Sequence, residues 1–569
     1  MSIEYFVEGK IKTQVKGDYL TFSKENIVYN SSVSVEQQGN KAGIQYKEAK
    51  KINPNDIPSN LIEVSLNLFF DGTQNNKTNT EAGKNYKESN HKDDSYTNDY
   101  SNVARGFDAT DPNAENQIRV YIEGIGTDDL KSDDVFPDVA LGMGDLGVVA
   151  KVTKGCIEGA KAVGSKFKGI PKEINLTVNV FGFSRGATAA RHFIYVATSP
   201  AEFFSSGSGF FALTPYDAPS LKNAVYMKEK SLADAYGFFG ACLAGQTLRI
   251  ASVQFKFAGL YDTVAAYGLN HRGGLGINND TKQLGLDAIG YGRVNFVLQL
   301  AADDEYRDNF DLTNINSAGL YGLEFTLPGV HSDIGGSYVD GDKEVSVLFC
   351  QKEGIINDVF FNIDEECNKF KEILIKEGWY KDEELVIRSF YQNDLDPDKL
   401  WTKDSVSYYG IIGTRKLNNS YDKIALNQMF HYSQDEKTGG VKYLENLLKR
   451  HKIEGDLLTR IYNQLINYMN ACNDLRNLYV EKHIKGENPS VAEYLAEIKK
   501  ISYLDFVEEQ DLKDLRHQYL HWSVKANQLG LGAKSQNNAP KKEGALEAKY
   551  YPDPRSRTKR IFSINLMGR

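Results

Sequence analysis

Residues 182–186 read Gly-Phe-Ser-Arg-Gly, between the apolar run LTVNVF and the run ATAARHFIYVA. Serine is a weak nucleophile until a neighbour removes its proton. The Gly-x-Ser-x-Gly pattern carries information only where a strand enters it and a helix leaves it. Both flanks have that character here. So sharp a turn has no room for side chains two residues before or after the serine, which gives Gly182 and Gly186 a steric role. Ser184 is then expected in an unfavourable backbone conformation, its hydroxyl above a helix N-terminus whose partial positive charge favours anions. The competing reading is a plain helix-capping serine.

A nucleophilic serine needs a base, and the base needs a carboxylate to orient it. FKFAGLYDTVAAYG puts Asp262 directly after one strand-like run, and LEFTLPGVHSDIGGSY puts His331 in a glycine-rich turn after another. The chain order Ser, Asp, His is that of α/β-hydrolases, whose ligands collect outside the carboxyl ends of the strands. Of the nine histidines, only His331 follows a strong strand pattern in this way. His192 falls on the helix after the serine and reads as structural, while His521, in LRHQYLHWS, is the alternative base. Asp333 and Asp71 are next in line for the acid's role. A tetrahedral intermediate also needs backbone N–H donors for its oxyanion. One is the amide of Arg185, directly after the serine. Gly72, in FFDGTQNN, is the best source of the other, because glycine lets the backbone come close. Asp71 reads first as a carboxylate bonding the amides of its own loop.

These residues need a sheet to bring them together. IEVSLNLFF, IRVYIEG, EINLTVNVF, RIASVQFKFAGLY and YGLEFTL read as strands, with helical spacing in the second half of VALGMGDLGVVAKVTKGCIEGAKAVGSKF and after the serine. Strands alternating with helices imply an α/β-hydrolase-like fold with a mostly parallel sheet and helical insertions. Residues 1–60 alternate polar and apolar in short runs and read as a small β-rich appendage. Residues 61–340 form the catalytic domain, and 341–569 a mainly helical extension. The polar stretch 77–102 reads as a surface loop, and the tail from about 528 as loosely ordered. Between serine and acid, 201–219 and 232–245 carry paired phenylalanines among Gly and Ser. This is poor helix or strand material, and it suits a flap apolar on one side.

The bulk numbers exclude several classes. A hydrophobic fraction of 41% and a charged fraction of 25% are those of a globular protein, and a net charge of −9 with no basic block argues against nucleic acid. The five cysteines lie far apart with no CxxC pair, which reads as buried free thiols. The N-terminus lacks the apolar core of a signal peptide, and no apolar run of about 18 residues is long enough to span a bilayer. The chain is expected in the producer's cytoplasm, leaving only by a route that reads no N-terminal signal. The carboxylates of DGTQNN and HSDIGG are too few for a metal cage, and no cofactor is implied.

FFDGTQNN, SNVAR, YIEGIGT, GFSRGA, LYDTV and PGVHSDIGGSY occur in this order. Together they resemble the bacterial hydrolase domain of unknown function 2235, which includes the first group of type VI secretion lipase effectors. The resemblance covers residues 62 to about 340, with weaker echoes at YDKIALNQM and LRHQYLHWS. On these motifs the family's serine falls on Ser184, its acid on Asp262 and its histidine on His331. The resemblance implies a phospholipase or lipase delivered into rival bacteria to break down membrane lipid. Implied with it are an immunity protein, a type VI spike component, and action at the target's periplasm or membrane surface. Two departures stand out. Tyr261 occupies a position where tryptophan is frequent, and Gln299, in VLQLAADDEYRDNF, replaces a histidine the family carries in a helix. Competing readings are an inactive hydrolase fold serving as a binding or structural module, and a carboxylesterase for smaller esters.

Overall fold

The apolar run LIEVSLNLFF forms strand β1 (Leu61–Phe70), the first element of the computed structural model. The structure describes residues 61–85, 93–134, 144–214, 223–269, 277–279, 282–307, 310–352, 363–391, 407–524 and 561–562. The expected appendage at 1–60 and nearly all of the tail from 528 lie outside the described residues. From Glu63 on, apart from 171–173, the described residues belong to one compact unit.

After β1 come helices α1 (Lys77–Asn85), α2 (Asp94–Thr97) and α3 (Asn102–Ala109), then strand β2 (Gln117–Ile122). The surface loop expected over 77–102 is therefore corrected, as far as it is described. Asn79, Thr80, Ser95 and Tyr96 are buried. Asn79 Nδ2 donates to Ser95 Oγ at 3.1 Å and Thr80 Oγ1 to the Ser95 carbonyl at 3.0 Å. Polar side chains that satisfy one another can be buried without any apolar period, so a hydropathy scan misses them.

Helix α4 (Val148–Phe167) leads into β3 (Glu173–Phe183) and helix α5 (Arg185–Ala197). Three short strands follow, β4 (Phe203–Ser206), β5 (Gly209–Ala212) and β6 (Val225–Met227), then helix α6 (Ser231–Gly245). The expected flap is corrected in its second part, 232–245, and the described part of the first, 201–214, is a regular hairpin rather than irregular chain. In an antiparallel hairpin, adjacent phenylalanines point to opposite faces. Phe204, Phe211 and Tyr226 pair across one face, with ring centroids 5.2 and 5.3 Å apart. Phe238 and Phe239 lie on α6 and are 1% and 0% exposed, so they are core.

Next come β7 (Ile250–Tyr261), the short pieces β8 (Ala266–Leu269) and β9 (Ile277–Asn279), β10 (Val294–Ala302), β11 (Leu312–Thr313) and β12 (Gly322–Leu327). Gln299 sits on β10, a strand rather than the expected helix. The run VNFVLQLAA, buried at every position but Asn295, shows no alternation by which to recognise a strand.

The main sheet has six strands in the order β12-β10-β7-β3-β1-β2. β1 with β2, β3 with β7, β7 with β10 and β10 with β12 all run parallel, the arrangement of an α/β-hydrolase sheet. Phe69, Phe181, Phe257 and Phe296 lie on four neighbouring strands, with successive ring centroids 4.6, 5.6 and 6.1 Å apart. This row of rings fixes the strands sideways. Register fixes them lengthwise: Phe183 faces Tyr261, Tyr261 faces Leu300, and Ala302 faces Leu327. The residues that follow these strands therefore meet at one rim.

Helix α7 (His331–Gly335) follows β12, and the chain continues into a second, antiparallel sheet. Its strands β13 (Lys343–Lys352), β14 (Leu385–Tyr391) and β15 (Ser407–Lys416) lie in the order β13-β15-β14, with helix α8 (Ile363–Lys376) between the first two in sequence. Helices α9 (Asp422–Gln434), α10 (Glu445–Arg450), α11 (Asp456–Ile484), α12 (Val491–Ile498) and α13 (Glu509–Gln518) follow. Leu515, Leu520 and Trp522 share one apolar cluster with Phe181, Phe183 and Tyr261, so this part packs on the parallel sheet.

Candidate active site

Ser184 stands between the end of β3 and the start of α5 at φ 58° and ψ −129°. A non-glycine residue in that region is strained and must be held by its surroundings. Four backbone bonds hold it: its amide donates to the Tyr261 carbonyl at 3.0 Å, and its carbonyl accepts from Ala187 at 3.0 Å and from Thr188 and Val264 at 3.3 Å each. Its hydroxyl makes no capping bond to the helix, which removes the capping reading. A Cβ on Gly182 would come within 2.5 Å of the Ala187 Cα. One on Gly186 would come within 2.2 and 2.4 Å of the carbonyl oxygens of Asp71 and Phe70. The turn is closed on both sides by backbone.

Asp262 directly follows β7, and its side chain is fully buried. Its Oδ1 accepts the Ala302 amide at 2.9 Å, and its Oδ2 lies 2.7 Å from His331 Nδ1. An ionised carboxylate only accepts, so this bond puts the imidazole hydrogen on Nδ1 and leaves a lone pair on Nε2. Nε2 is buried and has no hydrogen-bond partner. The ring lies against Phe183, the residue before the serine, with centroids 4.6 Å apart, and against Phe310 at 5.1 Å. A base with a bare nitrogen therefore stands beside the turn that carries Ser184.

On the far side of the turn, the loop after β1 does something different. The Gly72 amide donates to Asp71 Oδ1 at 2.7 Å, and the same carboxylate accepts from Ser101 Oγ at 2.6 Å and Tyr121 Oη at 2.5 Å. Burial pushes the Asp71 carboxyl up to about 6. Asp71 thus bonds one amide of its own loop, and its other two partners come from Ser101 and from Tyr121 on β2. The Gly72 amide would have to leave Asp71 to reach an oxyanion. Thr73, passed over in the sequence, has a buried Oγ1 without a partner in this same loop. The Arg185 amide lies at the first position of α5.

Asp333 stands on α7 and accepts the Val330 amide at 2.9 Å and the ring of His521 at 2.7 Å. His521 is thereby engaged with a carboxylate other than Asp262. His192 is fully buried with its Nδ1 2.9 Å from the Leu284 carbonyl, and burial lowers it to about 4. Gln299 bonds Thr263, the residue after Asp262, and donates to Glu324 Oε2 at 2.7 Å. Sequence reasoning missed Asp304 and Glu305, two buried carboxylates just beyond β10 that bond the turn entering His331. The run DDE after an apolar stretch was the available signal. Among the described residues no group of three or more His, Cys, Asp or Glu converges as metal ligands.

A model of the family described as "T6SS, Phospholipase effector Tle1-like, catalytic domain" matches residues 65–353, just over half of the 569-residue chain. No curated protein matches the sequence. Among solved structures, a Tle1 effector bound to the VgrG spike from the Type 6 secretion system is similar at 20% identity. The match spans 86% of this chain and 91% of that one, with a TM-score of 0.47. An uncharacterized protein from Pseudomonas aeruginosa is similar at 16% identity over 81% of this chain and 64% of that one, with a TM-score of 0.31.

Proposed function

The chain belongs to the Tle1-like family of type VI secretion phospholipase effectors, and from that premise we propose that it is a serine esterase cutting acyl esters of membrane glycerophospholipids. The observation that carries this reading is the Asp262–His331 pair, 2.7 Å apart, with a bare Nε2 beside the strained Ser184 turn. Ser184 Oγ attacks the ester carbonyl carbon while His331 Nε2 takes its proton, and Asp262 steadies the imidazolium through Nδ1. The electron pair of the carbonyl moves to oxygen, where the amides of Arg185 and of the loop at Gly72 meet it. Collapse expels the alcohol, which takes the proton back from Nε2. Water then repeats the sequence on the acyl-serine and releases the fatty acid.

Family membership supports delivery by type VI secretion, with an immunity protein and a spike component as partners. Among the described residues no helix is long and apolar enough to cross a membrane. The exposed Phe204 and Tyr226, with the half-buried Phe211 between them, form a face suited to contact with a lipid surface. The test is hydrolysis of phosphatidylethanolamine–phosphatidylglycerol vesicles and of p-nitrophenyl butyrate by the wild type and Ser184→Ala. The reading expects both activities in the wild type and neither in a mutant with an unchanged melting temperature. Turnover retained by the purified mutant would end it, and a wild type active only on the short ester would replace it with a carboxylesterase.

A further inference from the structure

Three consecutive amides carry the chain into the catalytic turn, and each ends on a different buried carboxylate. Gly329 donates to Asp304 Oδ2 at 2.7 Å, Val330 to Asp333 Oδ2 at 2.9 Å, and His331 to Glu305 Oε2 at 3.2 Å. Helix α7 is five residues long, so these N-terminal amides have few intrahelical acceptors. The carboxylates supply acceptors and suit the positive end of the turn.

Each carboxylate is in turn met by residues about two hundred positions further along. His521 brings its ring Nδ1 within 2.7 Å of Asp333 Oδ1 and its amide to Asp333 Oδ2 at 3.1 Å, with its ring stacked on Tyr338 at 3.6 Å between centroids. Ser523 Oγ donates to Glu305 at 3.0 Å, beside Arg307, whose guanidinium holds the same carboxylate through two bonds of 2.9 Å and whose amide adds a third at 2.9 Å. The Arg516 guanidinium acts on Asp304.

We propose that His521 is a positioning residue for His331: through Asp333 it fixes the Val330–Asp333 turn and so aims the imidazole at Ser184. The proposal rests on the serine-esterase reading above. His521 does not touch the reacting atoms. Its loss should therefore slow the chemical step without weakening substrate binding. A contact that served stability alone would lower the melting temperature and leave kcat of the folded protein unchanged.

The experiment uses the full chain with His521→Ala, His521→Asn and His521→Gln, beside Ser184→Ala. Asparagine puts its Nδ2 where the imidazole Nδ1 stands, so it keeps the bond to Asp333. Glutamine fills the space but carries its amide past that position. On p-nitrophenyl butyrate, the alanine and glutamine variants should lose about 10-fold to 100-fold in kcat at unchanged KM, the scale of a misplaced catalytic group. Asparagine should recover most of the rate. Labelling of Ser184 by a fluorophosphonate should slow in the same order. Wild-type kcat in a folded His521→Ala, or equal rates for Asn and Gln, overturns the proposal. If the alanine variant does not fold, the Asn–Gln comparison decides. A wild type that neither hydrolyses nor labels would sink the esterase reading instead. The low-field proton resonance of the His331–Asp262 bond then still reads the clamp: it should shift or vanish in His521→Gln, and an unchanged signal overturns the proposal.

Discussion

Replacing Gly186 by alanine sets two opposed effects against each other in one methyl group. In an unobstructed helix the change stabilises by about 1 kcal/mol, since alanine is the better helix former. At position 186 the new Cβ would stand 2.2 Å from the Asp71 carbonyl oxygen and 2.4 Å from that of Phe70. Carbon and oxygen in contact rest at roughly 3.2 Å or more. The first turn of α5 and the loop after β1 must therefore part by about 1 Å. Both obstacles are backbone, so no side-chain rotation absorbs the clash. Overpacking of this kind costs about 1–3 kcal/mol, which outweighs the helix gain. The displacement falls between the Arg185 amide and the Asp71–Gly72 loop, the two sides of the proposed oxyanion pocket. A shift of about 1 Å there should cost on the order of 10² in rate. The expected result for Gly186→Ala is a lowered melting temperature and a kcat/KM on p-nitrophenyl butyrate down about 100-fold. Gly106→Ala in α3 is the control, because its Cβ would meet only the Phe69 ring at 3.4 Å. If Gly186→Ala keeps wild-type kinetics, or if the control suffers equally, the close approach of loop and turn does not govern the reaction.

Asp262→Asn should lower kcat on the order of 10⁴. The Ala302 amide holds the asparagine oxygen at Oδ1, which turns the NH₂ toward His331 Nδ1 and forces the ring hydrogen onto Nε2. A loss under about tenfold would move the acid's role elsewhere. Asp71 is raised to about 6 from 3.8, so its protonated form is favoured by the fold and its ionisation opposes folding as pH rises through 6. The stability of Asp71→Asn relative to wild type should therefore rise between about pH 3.8 and 6, by up to about 3 kcal/mol, and stay level above that. Urea unfolding that shows no change in this difference, or the opposite sign, counts against the buried carboxylate. Phe204→Ser with Phe211→Ser should weaken vesicle binding by roughly 10-fold to 100-fold while sparing p-nitrophenyl butyrate. Equal loss on both substrates, or unfolding, would assign these rings to the core.

What the sequence made legible was whatever chemistry writes locally. The serine turn needs Gly182 and Gly186 within two residues of Ser184, and the structure puts backbone on both sides of them. Asp262 follows β7 directly and His331 comes after a three-residue turn from β12, so their meeting at one rim was a matter of parallel register. The misses share one cause. Residues 77–85 and 93–102 bury Asn79, Thr80 and Ser95 by hydrogen bonds to each other, which leaves no apolar period. β10 is buried at every position but Asn295 and gives no alternation either. The hairpin at 203–212 alternates phenylalanines between two faces, and composition alone made it look like an irregular flap.

The histidine's support was illegible for a stronger reason. His331 carries its own strand and glycine-rich turn in the sequence, yet the amides that aim it end on Asp304, Glu305 and Asp333. Those carboxylates depend on partners 188 and 218 residues away, at His521 and Ser523. No local pattern can encode such a pairing. A buried carboxylate is tolerated only where donors and cations replace lost water, so three of them around one short turn demand an outer shell that supplies them. That shell comes from the C-terminal part of the chain. On the proposed assignment, the 65–353 segment matched by the family model holds the reacting groups but not the Asp333 and Glu305 partners at His521 and Ser523. A truncation after about residue 353 should leave Ser184, Asp262 and His331 in the chain and the histidine turn without its clamp.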